Sequence, residues 1–295
     1  MSVRVSVIGL GEIGRAITRR LVESGFDVLA CDRLESARED ASSAGARVTT
    51  KASDCATSEV VLIVVADDAQ VRDVLMGEGG LFEEVPVDHP PLVVVMSTVS
   101  VEVVRELDSY CRERGSALVD APLSGGAIRA LDGTLTLMAG GEEAAVKRAR
   151  EVLDAVANEI FHCGPVGSGA LIKIINNLIC ASSVYLSAEA FRLADENGVP
   201  LRSLLPVLEA SSGRSFLTDD LEYAVGTYSG IASTRELFDH TVVSMQKDVR
   251  LARGIAEHSE GTFPMLDGLA RTLETLGGES FETWRKVGRQ STQPD

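Results

Sequence analysis

Aromatic side chains are scarce in this chain, with one Trp, four Tyr and eight Phe among 295 residues. Basic charge is also short: 28 Lys and Arg face 44 Asp and Glu, a formal net charge of −16. That acidic field speaks against a nucleic-acid footprint and an anionic membrane surface as partners. It leaves a small anion open, because backbone amides and a few cations can outweigh the overall field. Histidine occurs at His89, His162, His240 and His258. None stands in a ligand spacing with another His or Cys, so no metal is expected; His162 beside Cys163 reads as a strand-end residue. Cys31, Cys55, Cys111, Cys163 and Cys180 are odd in number and unpatterned. That excludes a disulfide framework and points to a reduced, cytoplasmic protein. No charged-then-apolar leader precedes the first strand-like stretch, and no apolar run reads as long and clean enough to span a bilayer. Internal repeats and low-complexity linkers are absent.

What the chain does have is an apolar fraction of 45%, enough for a sizeable core in two domains or one large one. The β-branched run Val3–Ile8 enters Gly9-Leu10-Gly11-Glu12-Ile13-Gly14 and then a helix to Glu23, stopped by Ser24-Gly25. A second strand, Asp27–Cys31, ends at Asp32. This is the G-x-G-x-x-G fingerprint between a strand and a helix, with an acid at the end of the next strand. Such glycines let a pyrophosphate approach the helix N-terminus, where free amides and the dipole favour negative charge. Asp32 suits the ribose hydroxyls of NAD and repels a 2′-phosphate; Arg33 could hold that phosphate instead, so NADP stays possible, although a solvated Arg33 is the plainer reading.

The alternation continues with a helix Glu35–Ala44, a strand Arg47–Thr49, a helix Ala52–Thr57 and a strand Val60–Val65. A helix from Ala66 to Leu75, a strand Leu92–Met96, a helix Val101–Arg114 and a strand Ala117–Val119 follow. Continuous apolar strands separated by helices mean a parallel sheet covered on both faces. Ligands bind such sheets beyond the carboxyl ends of the strands, which makes Val65-Ala66, Ser97-Thr98 and the chain from Asp120 onward candidate walls. In Asp120-Ala121-Pro122-Leu123-Ser124-Gly125-Gly126 a hydroxyl and glycine amides come together, a nest for a carboxylate, or else an ordinary turn. No histidine stands ready to make Ser124 a hydrolytic nucleophile. Leu135–Ala139 and Glu159–Cys163, with a helix over 142–156 between them, complete the sheet.

The loop Gly164-Pro165-Val166-Gly167-Ser168-Gly169 then opens a long apolar helix reaching about Asn197. Lys173 and Asn177, four apart, project from one face of it. Leu171, Ile172, Ile174, Ile175, Leu178 and Ile179 surround the lysine, and a helix hydrophobic all round is a buried one. A buried lysine needs a partner or a purpose. Beyond it, Leu201–Ala210, Ser215–Tyr223, Phe238–His258 and Met265–Leu276 read as helices, Phe281–Lys286 as a last turn, and Gly288–Asp295 as a frayed tail. The expected organisation is an α/β dinucleotide-binding domain over 1–163 and, over 164–295, a connecting helix with an all-α domain.

The set Gly9–Gly14, Asp120–Gly126, Gly164–Asn177 and Lys247-Asp248 resembles the β-hydroxyacid dehydrogenase family in order and spacing, from about residue 3 to 285. That family includes 3-hydroxyisobutyrate dehydrogenases, tartronate semialdehyde reductases and threonate dehydrogenases. The resemblance implies a Rossmann domain, a long interdomain helix, an α-helical C-terminal domain, and a homodimer or homotetramer. It implies hydride transfer between NAD(P) and a small 3-hydroxy or 3-oxo acid. Lys173 would be the acid–base residue, Asn177 would hold the substrate hydroxyl, and Ser124, Gly125 and Gly126 would bind its carboxylate. Gly9, Leu10, Gly11, Glu12, Ile13, Gly14, Asp32, Val65, Ala66, Thr98 and Lys247 would line the cofactor. An ammonium beside developing negative charge on oxygen suits that chemistry, and an apolar cleft next to a cationic ring should lower the lysine's pKa. Departures are Ile13 for a usual Met, Val65-Ala66 for a frequent Leu-Pro, and Val95 for a frequent Asp. Arg214, in Ser211–Phe216, either grips a second anionic group or lies on the surface. Imine reduction is disfavoured by Lys173 with Ser124-Gly125-Gly126, and a non-catalytic NAD-binding role by the presence of both Lys173 and Asn177. The chain is short for a decarboxylating phosphogluconate dehydrogenase.

Overall fold

The computed structural model describes residues 3–83 and 89–290. It divides into two compact units, Met1–Lys173 and Ile174–Asp295. The first is built on strands β1 (Arg4–Ile8), β2 (Asp27–Cys31), β3 (Arg47–Thr49), β4 (Val60–Ile63), β5 (Leu92–Val95), β6 (Leu118–Asp120), β7 (Leu123–Ser124), β8 (Leu135–Gly140) and β9 (Ala157–Gly164). Between them run helices α1 (Glu12–Glu23), α2 (Glu35–Ser43), α3 (Asp68–Met76), α4 (Val101–Arg112), α5 (Gly126–Leu131) and α6 (Glu143–Leu153). The helix expected over Ala52–Thr57 is present and is a 3-10 helix.

The sheet order is β3-β2-β1-β4-β5-β6-β8-β7, with β9 on β8. The first six are parallel and in the doubly wound order that reverses between β1 and β4. All residues of β4 and β5 are buried, as strands covered on both faces must be. Helix α1 covers one face with Ile17 and Leu21, one turn apart and buried.

The parallel expectation fails where β6 and β7 meet β8, while β9 is again parallel to β8. Asp120 pairs Gly140, and Leu123 and Ser124 pair Leu137 and Thr136, all antiparallel and in one unbroken register. Met138 N–H donates to Pro122 O at 3.1 Å in that same register. β6 and β7 are therefore one strand, interrupted only because Pro122 has no N–H to give the ladder.

Helix α7 (Ser168–Glu196) starts in the first unit and runs into the second, which otherwise holds α8 (Leu201–Glu209), α9 (Leu221–Ala232), α10 (Arg235–Glu257), α11 (Pro264–Glu274) and α12 (Gly278–Val287). Its core gathers much of the chain's scarce aromatic surface. Tyr228 meets Phe191 and Trp284 edge-on, and Phe238 meets Trp284 and Phe281. Tyr228 Oη donates to Val184 O at 2.6 Å, satisfying the one polar atom the ring buries.

Three sequence expectations are corrected here. Ser215–Tyr223 is not a helix: Ser215 Oγ accepts from Leu217 N–H, and Thr218 Oγ1 accepts from Ser215 N–H and donates to Glu209. Those bonds hold a turn against helix formation, and α9 starts only where Asp220 caps Tyr223 N–H at 2.7 Å. Helix α7 is not buried all round. Ala170, Ile174, Ala181, Val184, Ala188 and Phe191 form its buried stripe, while Ile175, Ile179, Leu186 and Leu193 are exposed. Finally, α7 is long and apolar enough, by length and composition alone, to cross a bilayer. Of the expected frayed tail, 291–295 lie outside the described residues; Arg289 and Gln290 still close turns onto α12.

Candidate active site

In the first unit the candidate residues collect at the carboxyl ends of the strands. Gly9 follows β1 with a φ of +95°, and a Cβ there would lie 2.4 Å from Val64 O, just past β4. A Cβ on Gly14 would sit 1.9 Å from Gly9 O. Both glycines are required by the turn itself. Gly11 differs: it caps α1, and a Cβ placed on it meets nothing within 4 Å. No side chain caps α1 at Gly11. The amides of its first turn face outward with the dipole behind them, where a pyrophosphate is accepted.

Asp32 stands beyond β2 and is tied into the same turn. Its Oδ2 accepts from Leu10 N–H at 2.7 Å and its Oδ1 from Leu34 N–H at 2.8 Å. Each oxygen keeps a lone pair for a ribose hydroxyl. Arg33 pairs with Asp73 and its side chain is 85% exposed. Val65 N–H is held by Ser97 Oγ at 2.9 Å, which binds the end of β4 to the end of β5. Val65 and Thr98 are half-buried and Ala66 is exposed. No cluster of three or more His, Cys, Asp or Glu that could hold a metal occurs among the described residues.

The continuous β6–β7 strand delivers Ser124, half-buried, to the same edge, followed by exposed Gly125 and Gly126 with φ of +131° and +68°. These open amides lie next to the start of α5. The stem of Arg129 packs against Gly125, its Cβ 2.8 Å from where a Gly125 side chain would begin. Its guanidinium donates to Thr134 O. Asp120, upstream on that strand, accepts from the N–H of Gly167, just before α7, and of Ala170 in its first turn. Lys173 lies three residues farther along and is 8% exposed, a rare state for a lysine side chain.

In the second unit α7 carries Asn177, half-buried. Its Nδ2 donates to Asp248 Oδ2 at 2.7 Å and its Oδ1 accepts from Asn176 Nδ2 at 3.2 Å. Asp248, on α10, is 9% exposed. Its Oδ1 has no hydrogen bond and faces Lys247 Nζ at 3.6 Å. Sequence reasoning treated Lys247-Asp248 as a pair and gave Asp248 no role of its own; the signal was a carboxylate interrupting an amphipathic helix. Arg214 is engaged by Glu209, Nε to Oε1 at 2.9 Å, with its side chain 72% exposed.

Residues 4–164 match the family described as the NAD binding domain of 6-phosphogluconate dehydrogenase. Residues 167–283 match the NAD-binding domain of NADP-dependent 3-hydroxyisobutyrate dehydrogenase. An NAD-dependent L-serine dehydrogenase of Pseudomonas aeruginosa is 30% identical over 275 residues, 92% of this chain and 91% of that protein. An L-threonate dehydrogenase of Cupriavidus necator is 31% identical over 269 residues, 90% of this chain and 87% of that protein. Among solved structures, Mycobacterium tuberculosis 3-hydroxyisobutyrate dehydrogenase with L-serine superposes with a TM-score of 0.79 at 27% identity, covering 97% of this chain and 99% of that one.

Proposed function

The chain belongs to the β-hydroxyacid dehydrogenase family of NAD(P)-dependent oxidoreductases, and from that premise we propose that it interconverts a small 3-hydroxy acid and its 3-oxo acid. The observation that carries the reading is the buried Lys173. It lies two turns into a helix docked on the sheet edge that also bears the Gly9–Gly14 turn and Ser124–Gly126.

Leu10, Glu12 and Ile13 offer backbone, and Gly9, Gly11 and Gly14 offer room, to a dinucleotide pyrophosphate. Asp32 takes the adenosine ribose, which favours NAD over NADP; Arg33, paired outward, adds little. Val65, Ala66, Thr98 and Lys247 line the remaining length. A nicotinamide cofactor bound there supplies the hydride acceptor or donor. Ser124 Oγ and the Gly125 and Gly126 amides hold the substrate carboxylate. Asn177, fixed by Asp248, orients the hydroxyl. Lys173 removes the hydroxyl proton during oxidation and returns a proton to the carbonyl oxygen during reduction, stabilising its negative charge. L-serine and threonate, named for two relatives, both carry a hydroxyl on the carbon β to a carboxylate. With 3-hydroxyisobutyrate and 2-hydroxy-3-oxopropionate they define the candidate class.

The cofactor part corresponds to residues 1–163, and the helix with the all-α part to 164–295. The enzyme is cytoplasmic, without nucleic-acid or membrane partners, and assembles as a homodimer or homotetramer. On α7, Ile172, Ile179, Leu186 and Leu193 are 40, 62, 65 and 64% exposed and lie seven apart, the period of a seam that packs against another helix.

The test is nicotinamide absorbance with NAD and NADP in parallel against 3-hydroxyisobutyrate, glycerate, threonate, 3-hydroxypropionate and L-serine. Lys173→Ala is the control. Turnover lost in Lys173→Ala supports the reading. Turnover that survives the substitution removes Lys173 from the mechanism. Cofactor binding without turnover on any acid favours imine reduction or a non-catalytic NAD-binding role.

A further inference from the structure

Asp120 is 1% exposed and, with Asp248, one of two buried carboxylates among the described residues. Its Oδ1 accepts from Gly167 N–H at 2.8 Å and its Oδ2 from Ala170 N–H at 2.8 Å. The junction leaves no room for a methyl group. A Cβ on Gly140 would lie 2.5 Å from Asp120 Oδ1, and one on Gly169 would lie 2.0 Å from Met138 O. Strands β6 and β8 and the first turn of α7 thus meet around one carboxylate.

Helices are commonly capped by the residue just before their first turn. Here that residue is Gly167, with no side chain, and the acceptor comes from 47 and 50 positions away. A cap borrowed at that distance does more than end a helix; it fixes where the helix begins relative to the sheet. Lys173 is one helical turn beyond Ala170. Ser124 is four residues beyond Asp120 on the same strand and, by the period of two, on the same face. The carboxylate is therefore a short link between the lysine and the Ser124–Gly126 nest.

We propose that Asp120 is the positioning residue for Lys173, pinning the first turn of α7 to the strand that carries Ser124 and so setting the distance between the proton-transferring amine and the carboxylate nest. This rests on the hydride-transfer reading above. Asp120 touches neither the reacting atoms nor the cofactor; it acts through the helix. Burial pushes its carboxyl up to about 6 even against the pull of the amides. A neutral cap would avoid that penalty.

The experiment is Asp120→Asn, which keeps the shape and turns one accepting oxygen into an N–H donor facing an amide. Misplacing a catalytic group by an ångström costs about 100-fold, so kcat on the hydroxy acid is expected to fall by roughly that factor with cofactor KM unchanged. Val152→Ala, in the buried face of α6, is the control: it lowers the melting temperature and leaves kcat alone. An unchanged kcat in Asp120→Asn overturns the proposal. A wild-type enzyme inert on every hydroxy acid removes instead the reading beneath it.

Should Asp120→Asn not fold, the wild type decides. Around Asp120 the titratable or charged groups are His162 and Cys163 on β9, Arg105 on α4 beside Gly167, and Lys173 on α7. In the reductive direction, where Lys173 donates, kcat must fall with acid around a midpoint of about 6, and His162→Gln must keep that limb. A flat profile, or a limb lost in His162→Gln, overturns the proposal.

Discussion

Asn177 gives one amide hydrogen to Asp248 Oδ2 at 2.7 Å, while the other oxygen of that carboxylate lies buried without a hydrogen bond. The pair joins α7 to α10 inside the helical unit and decides which way the Asn177 amide faces. With Nδ2 committed to Asp248, its Oδ1 is turned toward Asn176 and offers a second lone pair outward. A hydroxyl donor would find it there.

Losing one hydrogen bond to a charged group costs about 1.5–3 kcal/mol. Asp248→Ala should therefore lower kcat/KM on the hydroxy acid roughly 10- to 100-fold, and Asp248→Asn, which can still accept from Asn177, should lose less. Steady-state kinetics on the two variants check this. Equal losses in both would mean that the charge, and not the orientation of Asn177, is what matters.

Gly11 and Gly14 should separate function from folding. At Gly11 an added methyl meets open space, so Gly11→Ala should fold and lose only the few tenths of a kcal/mol to about 1 kcal/mol by which Ala is a poorer N-cap than Gly. Its affinity for NAD should nevertheless fall at least about tenfold, because the methyl occupies the space a pyrophosphate needs. Gly14→Ala, with its Cβ 1.9 Å from Gly9 O, should fail to fold stably. Thermal melts and a cofactor titration of each variant measure both effects. Undiminished NAD binding by Gly11→Ala would put the pyrophosphate elsewhere.

Asp120 should make stability and turnover move oppositely with pH. Its carboxyl is raised from 3.8 to about 6 in the fold, chiefly by burial, so the native state takes up a proton before the unfolded chain does. Its charged form is a burden at pH 7, and that burden is relieved as pH falls through about 6 toward 3.8. Two units correspond to about 3 kcal/mol at most. Urea unfolding should show the wild type gaining of order 1–3 kcal/mol on Asp120→Asn between neutral pH and about pH 4, over the range where its turnover declines. A difference between the two proteins that does not vary with pH would mean Asp120 titrates normally.

The sequence made the first unit legible as far as β6, since β-branched runs, the glycine turn and Asp32 are local signals and the structure places them as expected. Between β6 and β8 the local signals misled, although β8, α6, β9 and α7 lie where the sequence puts them. The strand read over Ala117–Val119 runs on to Ser124, and Pro122 only deletes one ladder bond from it. Helix α5 was hidden for a related reason: two glycines with positive φ begin it, and glycine normally argues against a helix. Ser215–Tyr223 has helical composition, but Ser215 and Thr218 use their hydroxyls on the backbone. The apolar neighbours of Lys173 point to its burial, although two of them, Ile175 and Ile179, are exposed. The hydrogen-bond partners of Asp120 and Asp248 escaped because they lie 47 to 71 positions distant, which no spacing rule reports.

Because Asp120 and Ser124 ride on one strand in one register, the interval between them is a count that must stay even. One residue inserted or deleted around Pro122 would reverse the side of the sheet on which Ser124 emerges while Asp120 stayed with α7. Substitution can tune Ala121, Pro122 and Leu123, but a change in length of a single residue there would disconnect the two halves of the catalytic edge.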